Sequence, residues 1–177
     1  MIKQSLFVGL VIVVGLQLAT VAEAEDLASR RRQAGLPSSS EETLWKLAHD
    51  PSADVRAAVA RNRRAPASVL HVLAADANVH VRIALGTNLS ASVETLSILT
   101  RDRELAVRMV MARCGFMHRE VLHLLANDAS EVIRHEVAQN LNADWEILAE
   151  LADDESVDVA RAAACGLERE EAAAKED

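Results

Sequence analysis

The chain has 177 residues, half of them hydrophobic but only 2% aromatic, and a formal net charge of -8. That length suits one domain with a modest core, and with no Tyr, two Phe and two Trp the core must be built from Ala, Val and Leu. The acidic balance repels phosphate backbones and counts against general nucleic-acid binding.

The first predicted element is an export signal over residues 1–24. Lys3 supplies a positive start, and Leu6 to Leu18 is an apolar run broken only by Gly and Gln17. Ala22-Glu23-Ala24 then gives a small-x-small cleavage pattern, the third part of a secretory signal peptide. No Cys follows the apolar run, so no lipoprotein anchor is expected. The alternative is an uncleaved membrane anchor, for which the segment is short. Residues 25–39 follow as a polar linker or N-terminal cap, with Arg30-Arg31-Arg32, Gly35, Pro37 and a run of Ser.

From residue 40 the chain fits a 26-residue ruler without a gap. Leu44, Leu70, Leu96, Leu122 and Leu148 share one column, and Leu47, Leu73, Leu99, Leu125 and Leu151 another. Asp50, Asp76, Asp102, Asp128 and Asp154 form a third; Val55, Val81, Val107, Ile133 and Val159 a fourth. Arg56, Arg82, Arg108 and Arg134 form a fifth, which ends at Ala160. Such self-similarity means stacked supersecondary units. Each unit reads as two short helices. The first places its Leu pair at i and i+3 on one face, and the second its Val pair at i and i+4. Asp50 before Pro51 reads as the cap of the second helix. The column Ala60, Gly86, Ala112, Ala138, Ala164 is always small and lets a neighbouring helix come close. The column Asn62, Asn88, Cys114, Asn140, Gly166 reads as a left-handed helix end, with Gly115 replacing the lost Asn in the third unit. Residues 40–167 are thus five two-helix repeats, and 168–177 a charged C-terminal cap or tail.

Asp50, Val55-Arg56, Val59-Ala60-Arg61-Asn62, Pro66, Leu70 and Leu73-Ala74 together resemble the leucine-rich repeat variant family, a relative of HEAT-type repeats. The resemblance covers roughly residues 41–167. It implies an all-α, right-handed α-solenoid, with some helices 3₁₀, and no single activity. One member of the family resembles an iron–sulfur protein with an N-terminal cysteine cluster; this chain has no such cluster, so no cofactor is expected.

The Asp and Arg columns are nearly invariant, and invariance between repeats marks architecture. They are expected to cap helices and pair between units. Function belongs where repeats differ. On the second helices, Ala57, Ile83, Met109, His135 and Arg161 lie four residues before Arg61, Thr87, Arg113, Gln139 and Cys165, forming one stripe. Ile83, Met109, Arg113 and His135 are the candidate partner-binding residues, an apolar centre beside an Arg. Met111 and Phe116 of the deviant third unit are expected in the core. The six His include no pair at zinc-ligand spacing; His71 and His123 stand two repeats, or ~20 Å, apart, so no metal is expected. Cys114 and Cys165 are equally distant, too far for a bridge, and are expected as buried thiols or an interchain pair.

No nucleophile–base spacing or phosphate loop is present, so no catalytic residue is named and the chain is not expected to be an enzyme. The expected function is a periplasmic or secreted scaffold for an unidentified protein or peptide. Membrane contact arises only if the N-terminal segment is retained; that alternative is a tethered structural or assembly factor, and a HEAT-like enzyme is a more remote one. Mass spectrometry of the mature chain should find Glu25 as the first residue; a chain still beginning at Met1 would establish the anchor instead.

Overall fold

The computed structural model describes residues 23–173, and these are all-helical. The export signal expected over residues 1–24 lies almost wholly outside the described residues, as does the end of the expected C-terminal tail. Among the described residues no helix is long and apolar enough to cross a membrane.

Helix α1 covers residues 23–35. Five short helices follow as the first members of the units: α2 (Glu41–Leu47), α4 (Ala67–Leu73), α6 (Val93–Leu99), α8 (Arg119–Ala126) and α10 (Trp145–Ala152). The second members are α3 (Ala53–Arg61), α5 (Val79–Gly86), α7 (Leu105–Ala112), α9 (Glu131–Ala138) and α11 (Val157–Ala173). Within each set the starts fall 26 residues apart, on the ruler of the sequence. The 3₁₀ geometry implied by the resemblance is not found among the described residues: these elements are α-helices, and i→i−3 bonds are confined to their first and last turns and the turns between them.

Periodicity explains the packing. Leu44 and Leu47 of α2 are buried, as are their counterparts in α4, α6, α8 and α10. Val55 and Val59 bury the facing side of α3, and Ile133 and Val137 that of α9. Fully burying such a side chain contributes about 1.5–3 kcal/mol. Each second helix packs on the next, from α3 to α5, α7, α9 and α11. The small column permits this approach. A Cβ on Gly86 would meet Met111 Cγ and Val110 Cγ1 of α7 at 3.2 Å.

The lead-in is a structural cap. Arg30 on α1 stands one period before Arg56, and its Nη1 donates to Asp50 at 2.6 Å. Ala34 is fully buried and its carbonyl accepts from Asn62. Helix α1 therefore makes the arginine and carbonyl contacts that the second helices make further along the chain.

Several local expectations are corrected. The Asn column does not adopt left-handed backbone: Asn62 is extended at φ −72°, ψ 112°, and no residue among those described has positive φ, Gly115 included. The Asn side chains are committed elsewhere. Asn62 Nδ2 donates to the carbonyls of Ala34 and Leu36, Asn88 to those of Ala60 and Asn62, and Asn140 to those of Ala112 and Cys114. Each Oδ1 accepts the N–H two residues on. This is a second ladder, tying each inter-unit turn to the turn before. Gly166 does not stop α11. A Cβ there would meet Leu148 Cδ2 at 2.8 Å, so its smallness serves packing on α10.

Asp50 does not cap α3 either. Ser52 occupies that position, and Asp50 Oδ1 accepts the Ser52 N–H at 2.8 Å. Phe116 is 82% exposed, while the next residue, Met117, is buried beside Met111 in the core. The inward position of that turn is held by Ala65, Ala91 and Ala143 elsewhere, so Met117 inherits it. Cys165 is exposed and Cys114 half-buried, both as free thiols.

The Asn ladder breaks at Cys114, leaving the turn at Gly86 and Asn88 without this donor. Cys114→Asn should restore the rung and raise stability by about 1 kcal/mol, whereas Asn88→Ala, which strands two carbonyls, should cost about 2 kcal/mol. Urea unfolding of the two variants measures both signs.

Candidate functional site

Two groups of residues compete for the role of a site: the Asp–Arg ladder and the variable stripe on the second helices.

In the ladder, one guanidinium serves three groups. Arg82 Nε and Nη2 donate to both oxygens of Asp102 at 2.6 and 3.0 Å, and Nη1 donates to the Asp76 carbonyl at 2.8 Å. Arg56 repeats this with Asp76 and the Asp50 carbonyl, Arg108 with Asp128 and the Asp102 carbonyl, and Arg134 with Asp154 and the Asp128 carbonyl. Each Asp also accepts the N–H two residues on. Arg82 and Arg134 are buried. Bidentate, charge-assisted pairs of this kind are strong and directional. Both partners are occupied within the fold, which leaves the ladder little capacity for a ligand.

Burial pushes the Asp76 and Asp102 carboxyls up, but the bonds from Arg56 and Arg82 and from the Asn78 and Glu104 N–H groups outweigh it and hold both below the usual range. The Arg134 bonds, with the Ser156 N–H, hold Asp154 below it too, against burial. The guanidinium groups of Arg56, Arg82 and Arg134 are raised by the same bonds.

The stripe is less uniform than its sequence. Ala57 is buried, and Ile83 and Met109 are half-buried and packed against the core. An apolar platform is thus only partly available. Arg113 is exposed, and its Nη2 pairs with Glu136 of α9 at 2.5 Å. That pair raises the guanidinium and holds the Glu136 carboxyl below its ordinary value. His135 is half-buried, 3.4 Å from the Gln139 amide one turn on.

At its polar end the stripe opens. His135 and Gln139 of α9 and Arg161 and Cys165 of α11 line a cleft of about 690 Å³, with Arg169 beside them. Small-ligand and peptide sites fall in this range of volume. Arg161 lies 3.2 Å from Asp158 on its own helix. One Arg169 nitrogen is buried with no hydrogen-bond partner among the described residues. The cleft carries both signs of charge, Arg161 and Arg169 with Glu131 and Asp158, and suits a polar ligand with both donors and acceptors.

A third cluster was invisible to spacing. His123 of α8 lies 3.9 Å from Asp144 and 4.0 Å from Glu146, at the start of α10. Their donor atoms fall within 4.8 Å of one another, a cation-like grouping. Arg119, however, lies 2.9 Å from Asp144, and Asp144 caps α10 through the Ile147 N–H. A guanidinium and a helix N-terminus both place positive potential where a cation would sit. Pairs of His alone do not reveal this cluster; the signal is that His71 and His123 reach the start of the next unit's first helix, as His71 does at Thr95.

No protein-family model, curated protein or solved structure matches the chain.

Because the Asp76, Asp102 and Asp154 carboxyls titrate lower in the folded chain, their stabilisation is complete above the unfolded value, near pH 3.9, and is lost as pH falls through the folded values. Circular dichroism against pH should therefore hold level down to about pH 4 and decline below it. Arg82→Ala strands a buried Asp102, should cost about 3–5 kcal/mol and should move the acid limb to higher pH.

Proposed function

We propose that the chain is an exported α-solenoid of the leucine-rich repeat variant kind, acting as a non-catalytic scaffold for a protein or peptide. The helix starts at 26-residue intervals and the succession of second helices support the solenoid reading. The repeat signature carries the right-handed sense of its winding. The apolar run before Ala22-Glu23-Ala24 supports export to the periplasm or beyond the cell.

The observation that carries the binding reading is the cleft between α9 and α11. It is lined by the same columns whose members vary between repeats, His135 with Arg161 and Gln139 with Cys165. The invariant columns are satisfied internally, and the variable ones converge on an open concavity. An extended segment entering it meets imidazole, amide, guanidinium and carboxylate groups at one end of the stripe. Ile83 and Met109 lie along the same stripe toward α5 and contribute their exposed edges. Arg113 acts through its pair with Glu136, which fixes the spacing of α7 and α9.

Substitution of half-buried Ile83 and Met109 by Asp confounds binding with stability, so the discriminating variant is Gln139→Lys with Arg161→Glu, both exposed. Affinity capture from the source cell envelope should yield a partner with the wild-type chain and lose it with the double variant, at unchanged helical circular dichroism. Equal capture by both would remove the cleft from the binding surface.

A further inference from the structure

The outer face of the first helices carries a pattern that the cleft does not use. Along α6 and the turn that follows it, the exposed residues Glu94, Ile98 and Arg101 stand at i, i+4 and i+7. They run acidic, then apolar, then basic. Neither Glu94 nor Arg101 has an ion-pair partner among the described residues, although neighbouring Arg103 and Glu104 pair with each other. Ile98 is 43% exposed at the centre. One unit before and one after, the same position holds Val72 and Leu124, at 41% and 43%.

A stripe of this order complements itself when reversed. Rotated by a half-turn about an axis through Ile98 and along the row from α4 to α8, a second copy sets its Arg101 against Glu94 and its Glu94 against Arg101. Ile98 then meets Ile98, Val72 meets Val72 and Leu124 meets Leu124. On α8, Asn127 faces Glu120, an amide donor against a carboxylate. On α4, Ser68 faces Ala75, a pair without conflict. A self-complementary patch of this kind is what a twofold interface requires.

The ends of the row set its limits. Lys46 on α2 and Glu150 on α10 occupy the same position as Ile98 and would each face their own copy. The α10 stripe of Glu146, Glu150 and Asp153 is wholly acidic. Like charges repel at both ends, which centres the contact on α4, α6 and α8.

We propose that this face binds a second copy of the chain, as an antiparallel twofold contact centred on Ile98. It is independent of the cleft, which lies on the second helices. Three aliphatic side chains and two ion pairs form a surface well below the roughly 800 Å² per partner of stable interfaces, so the dimer is weak and concentration-dependent.

Sedimentation equilibrium of the full chain as recovered from the cell tests this, read as differences between variants so that association through other surfaces cancels. Glu94→Arg and Arg101→Glu should each weaken dimerisation by about tenfold or more, and the double exchange should restore it. Ile98→Asp should abolish it, with helical circular dichroism unchanged. The proposal is overturned if the wild-type chain stays monomeric up to about 1 mM, if the single reversals leave association unchanged, or if the double exchange fails to restore it.

Discussion

Each ladder arginine is held by two turns at once. Its guanidinium reaches forward twenty residues to a carboxylate and back six to a carbonyl, and together these reaches span one 26-residue period. A guanidinium has a fixed fork of donors, so neither reach can lengthen without losing a bond. The register of every unit on the next follows from that constraint. The Leu and Val columns supply most of the stabilising burial, but apolar contacts are non-directional and would tolerate sliding. The arginines remove that freedom.

The opposite edge is tied by a different chemistry. There Asn side chains bond the carbonyls of the preceding inter-unit turn. One edge is ionic and the other neutral; the first carries the same Asp in every unit, and the second lapses at Cys114 and Gly166. What is left for variation is the two faces. The second-helix face runs from buried Ala57 to the polar cleft at Arg161, and the first-helix face is apolar only in its middle. A single chain of small units thus presents two surfaces of distinct character.

The heptad-like spacing of Leu44 with Leu47, and of Val55 with Val59, made the helices and their buried faces legible from the sequence. The register was equally legible, since no gap interrupts the columns. The partners of the polar columns were not. Asn62 has the composition of a helix end, and only three-dimensional placement reveals that its amide reaches the turn 28 residues earlier. Arg30 stands on the ruler one period before Arg56, but Ala24 and Ser29 stand where the Asp and Val columns would fall, and the Arg triplet around it hid its role. Phe116 and Met117 are adjacent and both apolar; which of them turns inward depends on the backbone of the turn. The stripe was visible as a pattern of residue types, whereas its half-buried centre and its open end reflect how α5, α7, α9 and α11 approach one another. The row at Val72, Ile98 and Leu124 is concealed in the sequence because Lys46 and Glu150 interrupt its column at both ends.

Five arginines from Arg30 to Arg134 meet five aspartates from Asp50 to Asp154, with none left over. The arginine column closes at Ala160, which carries no guanidinium. The molecule therefore has a natural quantum of growth. Gain or loss of one whole internal unit preserves charge balance and register together. Extension beyond α11 does not, since Ala160 has no guanidinium to offer a new aspartate. Lengthening by duplication within the array is neutral to the ladder, and lengthening at its end leaves a buried carboxylate unmatched.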